Sequence, residues 1–274
     1  SYIYFKKKRF ILLVSIVSFV VTILVVIGVV LMAMGLFHQE DSMSTLNLGN
    51  TGVEKAETVN QKEAEECNGF LLDVPYLSQE GEYPTACEVV SAVMVLSYYG
   101  YHVSIDDFID DYLPKADIFV DAETGLLTST SPTQAFIGDP RSSGGYGCYA
   151  PVIVSALNDA VGNTALAMDT TNTDIDTLVD NYVKRNIPVL LWASINLAPT
   201  SVGDSWILED TGEWFTWTAG EHCMVLVGAD QNYYYFNDPY NSNGIVKYQK
   251  NLVSKRWEEL GKQSVVLVPT AISK

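Results

Sequence analysis

No charged residue interrupts the chain from Phe10 to Phe37. A helix of that length rises about 42 Å at about 1.5 Å per residue, more than the ~30 Å hydrocarbon core of a bilayer requires. The apolar core of a signal peptide runs to only about 7–15 residues, and no clear small-x-small cleavage site follows. A buried core helix is a poor alternative for so long an apolar run. Lys6, Lys7, Lys8 and Arg9 stand just before it, and basic flanks stay in the cytoplasm. The expected order is a cytoplasmic basic terminus (1–9), a single-pass signal anchor (10–37), a polar linker (38–69) and a folded domain (70–274) outside the cell membrane.

Charge is lopsided around that anchor. The basic cluster takes four of the 16 basic residues and none of the 33 acidic ones, so the remainder carries 12 − 33 = −21. Such a surface repels nucleic acid, and no nucleic-acid partner is expected. It either serves solubility or attracts basic peptides. Four cysteines at this length do not make a disulfide scaffold. Cys67 falls in the linker, and Cys148 with Cys223 is a conceivable pair in an exported domain. No Cys-x-x-Cys or His-x-x-x-His spacing occurs, so no metal is expected. Ser143 to Gly147 is glycine-rich but lacks the lysine of a phosphate loop, and no cofactor is expected.

Beyond the linker, helical spacing comes first and strand-like runs come late. Cys87 to Tyr99 reads as a helix buried on most sides, with Thr85 as its cap and Gly100 past its end. Ser104 caps a short acidic helix that Pro114 stops, and Pro151 opens another. Asp174 to Asn186 carries a further helical pattern. Asp117 to Tyr149 is rich in turn residues and long for a structureless loop, so it is either functional or well packed. Strands are expected at Val189–Ile195, in a hairpin over Trp206–Trp217, and at Cys223–Gly228, Tyr233–Asn237, Ile245–Tyr248 and Val265–Val268. This order favours α+β with an antiparallel sheet.

Only three histidines are present, and His38 and His102 sit beside the anchor and in a loop. His222 is therefore the natural base for any thiol chemistry. Cys87 sits at a helix start, where the dipole and unpaired N–H groups favour a thiolate. If the two strands around Asp230-Gln231-Asn232 form a hairpin centred near Gln231, Asp238 lies opposite Met224 and on the same face as His222. A carboxylate there can orient the imidazole toward Cys87. A slip of one residue would break the arrangement. Gln79 and the Cys87 backbone N–H are candidate donors for an oxyanion. Trp206, Trp214, Phe215 and Trp217 are either core or the wall of a groove; the acidic residues among them favour the wall.

The order Cys, His, Asp is that of a papain-like thiol site. The segments Asp73–Gln79, Tyr83–Glu88, Ser97–Gly100, Gly138–Pro140, Gly145–Ala150 and Glu221–Gly228 together resemble the family-39-like branch of the papain-like cysteine peptidases, from about Leu71 to Val268. That resemblance implies a papain-like α+β fold, with Cys87 as nucleophile, His222 as base, Asp238 as the orienting acid and Gln79 as oxyanion donor. Ala86 and Ala229 depart from the glycine and tyrosine common in such proteins. The chain shows no nucleotide-binding motif and no bundle of spans, so the leader-cleaving role of the transporter-fused relatives does not carry over. The implied activity is hydrolysis of a peptide or protein substrate through a thioester. A peptidoglycan amidase or endopeptidase, and a non-catalytic surface binding module, are the alternatives.

Overall fold

The computed structural model describes residues 57–66, 69–240 and 244–270. The basic terminus, the expected anchor at 10–37 and Cys67 lie outside the described residues. Among the described residues no helix is long and apolar enough to cross a membrane. In chain order the strands are β1 (Glu57–Thr58), β2 (Phe70–Leu71), β3 (Lys115–Ala116), β4 (Phe119–Val120), β5 (Leu127–Ser129), β6 (Phe136–Ile137), β7 (Ala165–Asp169), β8 (Val189–Ser194), β9 (Ser201–Leu208), β10 (Trp214–Ala219), β11 (Glu221–Ala229), β12 (Tyr233–Asn237), β13 (Ile245–Gln249) and β14 (Ser264–Pro269).

The main sheet runs β1-β13-β12-β11-β8-β14-β7, and β2 pairs with β11 beyond the end of β8. Its pairings are all antiparallel, as an α+β chain with late strands should give. β8 and β11 are buried along their whole length, which their nearly unbroken apolar sequences require. The helix Cys87–Tyr98 packs on β11, with Cys87 through Leu96 buried, and Ser91 Oγ donates to the Cys223 carbonyl at 3.1 Å. Its end is a Schellman motif: Tyr101 N–H reaches Leu96 O at 3.0 Å, Gly100 N–H reaches Ser97 O at 3.0 Å, and Gly100 holds φ +82°.

Several elements differ from their sequence reading. The cap of the Cys87 helix is Ala86, with no side-chain hydrogen bond. Thr85 turns away instead, and its hydroxyl meets the carbonyl of Ser142 at 3.0 Å, tying the helix approach to a distant loop. Asp117–Tyr149 is not structureless. It contains β4, β5 and β6, and its Tyr146 and Tyr149 rings pack against Trp206 and Trp217. The folded part also reaches back into the segment read as linker. β1 adds an edge to β13, Val59 and Ala64 join the core, and Asn60 and Glu63 cap the Gln61–Glu66 helix reciprocally. The acidic helix after Ser104 is one α-turn, Ile105–Asp107, that widens into a π-turn over Phe108–Tyr112.

One irregularity sets the geometry that matters most. Near its turn the β11–β12 hairpin pairs Ala229 with Tyr234 and Gly228 with Tyr235. Further out it pairs Leu226 with Phe236 and Val225 with Asn237. Val227 is therefore an extra residue, a β-bulge. Without it, the register at the turn would set Asp238 against Val225, whose side chain faces away from that of His222. With it, Asp238 falls opposite Met224, on the face of His222. The bulged carbonyl is satisfied by Leu72 N–H at 2.7 Å. β2 can come that close because residue 228 is glycine: a Cβ there would lie 2.2 Å from Phe70 O and 2.9 Å from the Tyr235 ring. Gly228→Ala is expected to cost about 1–3 kcal/mol of stability by forcing β2 away, read as a lower urea midpoint at unchanged slope. An unmoved midpoint would mean that the bulge does not depend on this contact.

Candidate active site

Cys87 is the first residue of its helix and is 5% exposed. A loop closed by three local contacts delivers it: Tyr83 N–H to Gln79 O at 3.1 Å, Ala86 N–H to Tyr83 O at 3.2 Å, and Gln79 Nε2 to Pro84 O at 3.0 Å. Gly81 holds φ +92° within this turn. The Gln79 amide has a second N–H beyond the one given to Pro84. At a helix start the backbone N–H of Cys87 has no acceptor within the helix. Gln79 and Cys87 line one cleft, and each brings an N–H donor to it.

His222 and Asp238 meet. Nε2 of the imidazole lies 2.7 Å from Asp238 Oδ1, with side chains 1% and 0% exposed. The carboxylate is held on every side: Oδ1 also accepts from Tyr240 N–H at 3.0 Å, and Oδ2 accepts from the Tyr248 hydroxyl at 3.0 Å. Tyr76 donates to the Asp238 carbonyl at 3.1 Å, and the Tyr240 ring stands edge-on to the imidazole at 5.9 Å. Burial by itself raises the Asp238 pKa. The His222 imidazole and these donors outweigh it and leave the carboxyl below its ordinary range. Because Nε2 is committed to an ionised acceptor, Nδ1 is the ring nitrogen left to take a proton.

A cleft of about 160 Å³ joins these groups. Gln79, Cys87 and His222 line it, along with Tyr146, Trp217 and Tyr240; Asp238 sits behind His222. The four residues singled out in the sequence therefore converge on one place. Of the aromatic run, Trp217 forms part of this lining while 6% exposed, Trp206 is fully buried in a small core with Ile137, and Trp214 is 62% exposed. Trp206 is thus core and not groove wall, because its indole N–H is spent on the Thr130 carbonyl at 3.1 Å. Cys148 and Cys223 are buried free thiols, so the conceivable disulfide between them is not formed.

The electrostatics reverse one expectation. A helix start should lower the Cys87 pKa, yet burial raises it well above the ordinary thiol range, and Glu88 and Glu221 raise it further. The thiol donates to Glu88 Oε2 at 3.3 Å. Burial lifts Glu88 to about 7, against the pull of the Cys148 N–H that its Oε1 accepts at 2.6 Å. Burial and the neighbouring Glu88 lift Glu221 well above the carboxylate range. Both carboxyls end segments of the family resemblance, but the sequence reading gave neither a role. A glutamate in the first turn of a helix buried from Cys87 to Leu96, and another opening a strand buried throughout, are charges where no charge should be. That anomaly was the available signal. Tyr240 and Tyr248 gave none, since a tyrosine near a turn and another on a strand have no distinctive pattern.

The arrangement has counterparts. The profile of the Peptidase_C39 like family matches residues 71–265, a span that contains Gln79, Cys87, His222 and Asp238. The uncharacterized protein YvpB of Bacillus subtilis (strain 168) is 28% identical over 181 residues, 66% of this chain and 68% of YvpB. A crystal structure assigned to a C39-like peptidase from Bacillus anthracis superposes with a TM-score of 0.63 at 27% identity, covering 73% of this chain and 98% of that one. With the family profile spanning most of the folded residues, and the α+β architecture shared with that structure, the chain belongs to the Peptidase_C39-like family.

Proposed function

We propose that this chain is a cysteine peptidase of the outer cell surface, anchored by the apolar segment 10–37. The observation that carries the reading is the buried His222–Asp238 pair, 2.7 Å apart, at the cleft that Cys87 and Gln79 also line. Family membership supports the same reaction class.

In the proposed reaction His222 Nδ1 takes the thiol proton as the sulfur of Cys87 attacks a peptide carbonyl. The carbonyl oxygen becomes an oxyanion, held by the Cys87 backbone N–H and the free N–H of the Gln79 amide. As the C–N bond breaks, the imidazolium returns its proton to the leaving amine, which leaves a thioester on Cys87. Water then attacks the thioester, with His222 taking its proton, and the acid product departs as the thiol re-forms. Asp238 never leaves its ionised state; it keeps Nε2 protonated and stabilises the imidazolium. The apolar burial of Cys87 beside two carboxyls means that a resting thiolate is not stored. The proton leaves only when His222 can accept it, during attack.

Expected activity is on peptides and unfolded proteins. The full chain should cleave casein-type peptides and leave purified peptidoglycan intact. Cys87→Ala should lower cleavage by about a thousandfold or more, and Asp238→Asn by about 10²–10⁴-fold through the wrong tautomer of His222. Full activity in either variant would put the chemistry elsewhere, and release of wall fragments in place of peptides would make the chain a wall hydrolase. For the anchor, membranes washed with alkaline carbonate should retain the chain, and protease added to intact cells should remove its folded part. A chain recovered in the wash, or protected inside cells, would contradict the outward-facing tether.

A further inference from the structure

The two glutamates beside Cys87 have no part in the reaction above. Among the described residues the thiol of Cys87 and the carboxylates of Glu88 and Glu221 place one ligand atom each within 4.8 Å of the others, and all three residues are buried. Neither carboxylate is paired with a described lysine or arginine. Glu221, 7% exposed, has a buried oxygen, Oε1, with no hydrogen-bond partner. Buried oxygens are nearly always satisfied, and an orphan at a cleft wants a ligand. The backbone also leaves room for the pair. Gly147 stands against it with φ +148°, and a Cβ there would lie 2.5 Å from Glu88 Oε1 and 3.1 Å from Glu221 Oε2.

We propose that Cys87, Glu88 and Glu221 form a binding site for a thiophilic divalent cation, of the class of Zn²⁺, at the floor of the cleft. The ligand chemistry selects the ion. A thiolate with two carboxylates suits zinc, with bonds of about 2.3 Å to sulfur and about 2.0–2.2 Å to oxygen. In a tetrahedral site those bonds put ligand atoms about 3.3–3.6 Å apart, and Cys87 Sγ already stands 3.3 Å from Glu88 Oε2. Small rotations of Glu221 complete the set. Ca²⁺ wants about six to eight oxygens, and Mg²⁺ an octahedron of oxygens, which this trio does not supply. Cys87 and Glu221 both line the cleft, so the ion has a way in and its fourth position faces water.

Binding releases the thiol proton and whatever proton the carboxyls share, and it forms one metal–sulfur and two metal–oxygen bonds. The sulfur lone pair is then engaged, so the ion blocks the nucleophile reversibly. That consequence rests on the peptidase reading; the binding does not.

The test uses the full chain with Cys67→Ser, titrated with Cd²⁺ as a spectroscopic probe and with Zn²⁺. One Cd²⁺ per chain should raise an ultraviolet cadmium–thiolate band and protect Cys87 from iodoacetamide. The band should vanish in Cys87→Ser, and Cd²⁺ affinity should fall by about tenfold or more in Glu221→Gln and in Glu88→Gln. Ca²⁺ in large excess should give no protection. Glu221→Asp, which keeps the charge and withdraws the oxygen, should weaken binding even if Glu88→Gln does not fold. An affinity within about twofold of the parent in Glu221→Gln, a band that survives Cys87→Ser, or equal protection by Ca²⁺ would each overturn the site. Peptide cleavage is followed alongside. A chain that binds Cd²⁺ as expected yet never cleaves would refute the peptidase reading alone, and a peptidase indifferent to Cd²⁺ would refute the cation site alone.

Discussion

The hydrogen bond between His222 and Asp238 is buried on both sides, and much of the surrounding structure exists to make it tolerable. An ionised carboxylate with no exposure loses several kcal/mol of hydration, and only full hydrogen bonding offsets that cost. Here the acid at the end of β12 is offset from three directions of the chain: β11 brings the imidazole, the turn after β12 brings Tyr240 N–H, and β13 brings the Tyr248 hydroxyl. The meeting needs a particular register, and the register needs Val227 as an extra residue. Gly228 in turn admits β2 against the bulge. A pair of side chains at one end of a hairpin thus depends on a missing Cβ at the other.

Cys87 lives under opposing influences. Its helix start and a hydrogen bond with the Cys223 backbone favour a thiolate, while burial and two carboxyls favour the thiol. Burial wins in the resting molecule. The same carboxyls have a cost, since their own desolvation holds protons that would otherwise leave near pH 4–5. Groups arranged at such cost beside a nucleophile call for a use, and a thiophilic cation is one that would satisfy all three at once.

Much of this architecture was legible in the chain because it follows from local pattern. The Schellman end at Gly100, the capping box at Ser104, the proline opening of Ala150–Val161 and the late strands are set by residues within a few positions of one another. The pairing of His222 with Asp238 was legible only through a regular hairpin centred near Gln231, whereas the turn pairs Ala229 with Tyr234 and the bulge supplies the shift that restores the register. The bulge was not legible, because its cause is Phe70 and Leu71, more than a hundred residues away, pressing on Gly228. Thr85 misled for a similar reason: a good local cap lost its hydroxyl to the carbonyl of Ser142. Spacing rules for metal ligands passed over Cys87, Glu88 and Glu221, since two are adjacent and the third joins them only through the fold.

The central claim is that His222 is the proton acceptor for Cys87. The most direct measurement is the rate at which iodoacetamide alkylates Cys87, followed by mass spectrometry from about pH 5 to pH 9, in the chain and in His222→Ala. The account predicts labelling of Cys87 ahead of Cys148 and Cys223 at neutral pH, and a fall of about a hundredfold in His222→Ala that alkaline pH recovers. The same rate and the same pH profile in both proteins would contradict it.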